Sequence, residues 1–201
     1  MRTNSIKKFA IVGKIGSGKS YVSSIMADKY NIPIFNTNDD VKTLLKHHFG
    51  DDIYKDGRID AGKFAKILFK DRKCLDISNA IIAPRVMCNF YQWMDVLHAP
   101  PEREIEHVVS ECANLLDTDF YKLFDHIILI DTSYQLRKAR VLLDRDMTRD
   151  EFDIRDKMQL SIVEMERKIA GKIPYTIFDN DGHDDAIDYM INSTIFNEYG
   201  T

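Results

Sequence analysis

At 201 residues, with 44% hydrophobic and 30% charged side chains, the chain has the make-up of one globular α/β core, or of such a core carrying an inserted helical piece. Its formal net charge of −4 weighs against a nucleic-acid binder, whose footprint is usually basic, but leaves room for a local phosphate site. Cys74, Cys88 and Cys112 are far apart and form no Cys-x-x-Cys pair, which argues against a zinc knuckle or thioredoxin-like centre and fits a reduced, cytoplasmic setting.

The first apolar run is Phe9-Ala10-Ile11-Val12, which predicts a strand and is too short for a signal-peptide core. A glycine-rich segment follows at once, and Tyr21 to Tyr30 continues as a helix with Val22, Ile25 and Met26 on one face. Ile32 to Phe35 predicts a second strand. About seventy residues separate it from the third, too many for one crossover helix. Within them Val41 to Phe49, Ala61 to Phe69 and Leu75 to Leu97 read as helices, an insertion that Ala99-Pro100-Pro101 closes. Strands are expected again at Ile105 to Ser110, His126 to Ile130 and Tyr175 to Phe178. Between the last two, Tyr134 to Lys172 is rich in charge and helix formers, with Thr148-Arg149-Asp150-Glu151 as a capped helix start and Gly171 as a stop. A last helix runs from Asp184-Asp185 to about Asn197. This alternation predicts an α/β fold with a parallel five-stranded sheet. No run approaches the ~20 apolar residues that cross a bilayer.

Gly13-Lys14-Ile15-Gly16-Ser17-Gly18-Lys19-Ser20 matches Gly-x-x-x-x-Gly-Lys-Ser/Thr at every fixed position. Glycines let backbone N–H groups close around an anion, and the following helix adds its positive end. In this P-loop, Lys14 to Tyr21 are the nucleotide-binding candidates. Lys19 is placed to reach the β- and γ-phosphates of ATP, and Ser20 to ligate Mg²⁺. No Asn-Lys-x-Asp guanine motif is present, and a large ATPase needs a longer chain. The charged, lid-like segment after the fourth strand suits a kinase of nucleotide-like metabolites.

Further stretches carry a family resemblance. Lys14 to Ser20 resembles the Gly-Ile-Gly-Ser-Gly-Lys-Ser loop of dephospho-coenzyme A kinases. Phe49-Gly50, Asp56-Gly57-Arg58-Ile59-Asp60, Leu68-Phe69, Asn79 and Pro84 follow that family's middle region in order. Glu111 to Leu116 with Phe120 to Asp125 is similar to its segment between the third and fourth strands. Arg145-Asp146-Met147-Thr148, Arg155 and Gln159 resemble its lid, and Asp179-Asn180-Asp181-Gly182 its C-terminal turn. The resemblance spans roughly residues 8 to 192. It implies transfer of the γ-phosphoryl group of ATP to the ribose 3′-hydroxyl of dephospho-coenzyme A, in a three-layer P-loop NTPase fold. Residues 1–40 and 104–201 would form the core, with a lid at about 134–172, and 41–103 the helical substrate-binding insertion. The partner would be a small molecule, with no nucleic acid or membrane, and the protein a monomer or weak homo-oligomer. Arg145 and Arg155 would reach the phosphates from the lid, and Asn180 would lie near the adenine. Pro84, Glu111, Leu115 and Asp117 would serve the substrate side. Arg137 and Arg140 read as solvated surface charges.

The chain departs from the family at the proposed base. Asn38 stands where the family has an aspartate, and an amide does not take a proton as a carboxylate does. Three readings follow: Asp39 takes over, the base matters little in a loose transition state, or the protein binds nucleotide with little transfer. Capping of the next helix by Asn38, Asp39 and Asp40 is the structural alternative. Ala83-Pro84 replaces the family's His-Pro, and Asp117 its glutamate, so another nucleotide-like acceptor is a further reading. For Glu111, a place around Mg²⁺ and a plain loop carboxylate weigh equally.

Overall fold

The computed structural model describes residues 6–36, 54–55, 58–59, 61–68, 71–98, 105–112, 114–144, 147–180 and 182–197. The expected strands form, with ends moved by one or two residues: β1 (Lys7–Gly13), β2 (Ile34–Asn36), β5 (His107–Glu111), β6 (His126–Asp131) and β7 (Tyr175–Asp179). They pair in the order β2-β5-β1-β6-β7, all parallel. From β1 the chain crosses to the edge strand β2, returns to β5 beside β1, and then passes to β6 and β7 on the other side. The crossovers that leave β1 and β5 therefore run in opposite directions, and the C-terminal ends of these two neighbours mark where ligands bind in open parallel sheets. A short antiparallel ribbon, β3 (Tyr54–Lys55) with β4 (Arg58–Ile59), was not anticipated from the sequence.

Both faces of the sheet are covered, which is why β1 is a continuous apolar run. On one face Ala10, Val12, Val108, Ile127 and Leu129 pack with Val86, Phe90 and Met94 of α3 (Arg72–His98) and with Met165 and Ile169 of α6 (Ile162–Ile169). On the other, Phe9, Ile11, Val109 and Ile128 pack with Val22 and Met26 of α1 (Lys19–Tyr30) and Ile187 and Met190 of α7 (Asp184–Ile191). Between α1 and α3 lies α2 (Ala61–Leu68). Phe90 is 1% exposed and meets Phe35 at 5.1 Å and Phe124 at 5.3 Å between ring centroids, and Trp93 packs beside it. The long helix is thus stitched into the sheet core, and Pro84 does not interrupt it. The expected helix at Val41 to Phe49 lies outside the described residues.

The segment between β6 and β7 differs from a single capped helix ending at Gly171. It forms α4 (Tyr134–Asp144), α5 (Arg149–Met158) and α6. Thr148 and Glu151 make the expected capping box. A second box, Ser161 with Glu164, starts α6, so the chain breaks at Gln159 to Ser161. Gly171, at φ +71°, follows the end of α6. The last helix is α-helical to Ile191 and widens into a π turn over Asn192–Phe196.

Candidate active site

Gly13 ends β1 beside Ile130, and the chain turns through Lys14 to Gly18 before α1 begins. Gly16 and Gly18 have φ of +76° and +90°, a region that disfavours side chains. Space is also limiting. A Cβ on Gly16 would lie 2.5 Å from the Arg137 carbonyl oxygen, and one on Gly18 2.3 Å from Asn180 Nδ2. Gly18 is the N-cap of α1 and provides no side-chain acceptor, so the positive end of the helix is left for another anion.

That helix end opens on a cleft of about 430 Å³. Gly16, Gly18, Lys19, Ser20 and Tyr21 form one side, and Arg140, Val141 and Asp144 of α4 another. Asn180, Gly182 and Asp184 close it from the end of β7. Lys19 Nζ donates to the carbonyl oxygens of Gly13 at 2.9 Å and Lys14 at 3.0 Å, and phosphate oxygens compete with these two acceptors. Ser20 Oγ donates to Glu111 Oε1 at 2.7 Å, while Ser23, one turn later, donates to Oε2 at 3.1 Å. Glu111 sits at the C-terminal end of β5, so the parallel pairing of β5 with β1 carries this carboxylate to the start of α1.

Asn180 is 2% exposed and holds the loop from below. Its Nδ2 donates to the Ser17 carbonyl at 2.8 Å, and its N–H donates to Asp131 O at 2.8 Å. Thr132 Oγ1 donates to the same Ser17 carbonyl at 3.1 Å. Arg140 donates through Nη2 to the Asn180 carbonyl at 3.3 Å, but its Nη1 is buried without a protein partner. A buried charged donor left unpaired is costly, and an anion in the cleft removes that cost.

A family profile described as dephospho-CoA kinase matches residues 8–185. The chain belongs to the dephospho-CoA kinase family. A dephospho-CoA kinase of Deinococcus radiodurans is 25% identical, with 94% of this chain and 91% of the relative covered. One from Thermobifida fusca is 27% identical, with 92% of each covered. Among solved structures, a Thermus thermophilus protein superposes with a TM-score of 0.69 at 21% identity, covering 96% of this chain and 97% of the other. A dephospho-CoA kinase from Campylobacter jejuni superposes at 0.56 with 16% identity, covering 95% and 98%. These superpositions establish the fold, and the family is one of ATP-dependent phosphotransferases.

Other sequence candidates fall differently within this kinase fold. Asn38, Asp39 and Arg145 lie outside the described residues. Arg155 is half-buried on α5 and does not line the cleft. Pro84 is exposed midway along α3, also away from the cleft lining. Leu115 is fully buried in the sheet core, so its side chain packs rather than meeting a ligand. Asp117 is held by Arg72 at 2.9 Å and Lys168 at 3.5 Å, with 6% of its side chain exposed. Its carboxylate ties α3 to α6.

Two surface assignments are corrected. Arg137 is 6% exposed and donates to the carbonyls of Thr132 and Ile15. Arg140 lines the cleft. The signal was in the helix period: Arg137, Arg140 and Asp144 share a face of α4 with the buried Val141. A charge on the same helical face as a core valine points inward.

Proposed function

We propose that the protein transfers the γ-phosphoryl group of Mg·ATP to the ribose 3′-hydroxyl of dephospho-coenzyme A, in a cytoplasmic setting. One observation carries the donor half of this reading. The uncapped start of α1, Lys19 and the unpartnered Nη1 of Arg140 converge on one cleft, a donor set suited to a polyphosphate. Ser20 Oγ beside the Glu111 carboxylate is an all-oxygen set of the kind Mg²⁺ takes together with phosphate oxygens. Held by Ser20, Mg²⁺ would supply neutralisation of the charge on the β- and γ-phosphates.

Lys14 to Tyr21 cradle the triphosphate. Lys19 moves from the Gly13 and Lys14 carbonyls to the transferring group, and Arg140 donates to the donor phosphates. Glu111 accepts a hydrogen bond from the Ser20 hydroxyl, which would leave a lone pair of Oγ free to face the metal. The acceptor oxygen bonds to the γ-phosphorus as the bond to ADP breaks. Asp39 and, in second place, Asn38 position the acceptor hydroxyl, and of the two only the Asp39 carboxylate can take its proton. Arg145 and Arg155 carry positive charge from the lid, and Asn180 sets the end of the cleft nearest the adenine. Family membership supports the acceptor. Asn38 in place of the family aspartate favours a second reading, a different nucleotide-like acceptor or weak transfer.

The test is a panel of acceptors incubated with Mg·ATP, with the phosphorylated position assigned by phosphorus NMR. A 3′-phosphate on dephospho-coenzyme A, formed faster than on any other nucleotide, supports the proposal. Faster transfer to another acceptor moves the assignment to that compound.

A further inference from the structure

Outside the cleft lining, the loop is gripped by α4 and by the end of α5. Both backbone polar groups of Ile15 are held by side chains from these two elements. Its N–H donates to Gln159 Oε1 at 2.7 Å, and its carbonyl accepts from Arg137 Nη1 at 3.3 Å. The same Nη1 donates to Asp156 Oδ1, which also accepts Lys14 Nζ at 3.0 Å. Arg137 is anchored in turn through Nε to the Thr132 carbonyl at 3.0 Å. The side chains of Arg137, Asp156 and Lys14 are 7%, 13% and 19% exposed, so this is a largely dry cluster of two cations around one acid. Helix α5 ends at Gln159, whose own N–H closes on the Arg155 carbonyl while its side chain turns to Ile15.

We propose that Asp156 and Gln159 are positioning residues for the nucleotide loop: Gln159 directly, and Asp156 through Arg137 and Lys14, hold the backbone at Ile15 in the shape that receives the phosphates of ATP. This rests on the ATP reading above. Neither residue lines the cleft, so each acts through the loop rather than on the nucleotide. The geometry gives each a separate task. Gln159 satisfies an N–H that faces away from the cleft, which keeps the Lys14–Ile15 peptide from turning. Asp156 screens Lys14 from Arg137; without it, two cations repel at the back of the loop, and one of them belongs to the loop itself. Loop geometry set in advance lowers the ordering cost of binding, so the loss appears in nucleotide affinity.

The experiment titrates Mg·ATP calorimetrically into wild type, Lys19→Ala, Gln159→Ala, Gln159→Glu and Asp156→Asn, with a thermal melt of each and KM values for both substrates. Wild type that binds no ATP defeats the donor reading itself. With wild-type binding in hand, Gln159→Ala weakens ATP by about ten-fold, the scale of one hydrogen bond, and leaves the acceptor KM within two-fold. Gln159→Glu keeps an acceptor for the Ile15 N–H and recovers most of the affinity. Asp156→Asn weakens ATP at least as much as Gln159→Ala. Variants that melt lower but bind ATP within two-fold of wild type overturn the proposal, because the cluster then only stabilises the fold. A Gln159→Glu variant as weak as Gln159→Ala also overturns it.

Discussion

Replacing Glu111 by glutamine tests how the start of α1 is prepared for a metal. Glu111 accepts from Ser20 Oγ at 2.7 Å and from Ser23 Oγ at 3.1 Å. Both are charge-assisted, and each neutral replacement is weaker by about 1 kcal/mol. Glu111 is half-buried, so solvent screening brings the expected stability loss to about 1 kcal/mol in all. The metal effect is larger. The carboxylate has no proton to give, so Ser20 must donate to it and keeps its lone pairs for Mg²⁺. A glutamine can present its NH₂ to Ser20 instead and occupy a lone pair. Loss of such an outer partner weakens a metal by about 10–100-fold. The assay is initial rate against free Mg²⁺ at saturating ATP and acceptor, with Mn²⁺ binding to the enzyme–ADP complex as a readout independent of turnover. Half-saturating Mg²⁺ rises by that factor while the acceptor KM stays constant. An unchanged Mg²⁺ dependence with a lowered melting temperature would refute the reasoning and leave Glu111 as a tie between β5 and α1.

Gly18→Ala puts a Cβ at φ +90° and 2.3 Å from Asn180 Nδ2, displacing that amide from the Ser17 carbonyl. Backbone strain and one lost hydrogen bond cost about 2–3 kcal/mol, seen as a drop in Tm of about 5–10 °C together with loss of ATP binding. Burial pushes the Cys112 thiol up to about 11, whereas Cys88 is exposed. A thiol reagent at pH 8 therefore labels Cys88 first and Cys112 roughly 100-fold more slowly than an ordinary thiol with the same access; mass spectrometry of the labelled peptides reads the order. The Glu151 carboxyl is held at about 2, first by the Thr148 N–H and then by Lys66. Its folded value is depressed, so its contribution is full above the ordinary glutamate range and fades as pH falls from about 4.3 toward 2. Glu151→Gln then shows a flatter dependence of Tm on pH across that window than wild type.

The sheet was legible because β1 and β6 are buried on both faces and carry the uninterrupted apolar runs Phe9 to Val12 and Ile127 to Ile130, while β5 has only Val108-Val109. The phosphate loop was legible because its glycines answer to steric demands that no other residue meets. The break between α5 and α6 was missed although Ser161-Ile162-Val163-Glu164 spells a capping box, because the charge-rich segment masked the signal. Arg137, Arg140 and Asp156 were missed for a different reason. Composition treats a charged residue on a charged helix as solvated, and only the packing of α4 and α5 against the loop reveals which charges are turned inward. The register of Leu115 with the family did not say which way its side chain points, and the structure turns it into the core.

Transfer from ATP to dephospho-coenzyme A at the Lys19 loop is tested by ADP release from Mg·ATP with and without that acceptor, in wild type and in Lys19→Ala. Release is expected to depend on the acceptor and to fall by orders of magnitude in the variant. ATP binding by wild type without acceptor-dependent release would contradict that transfer.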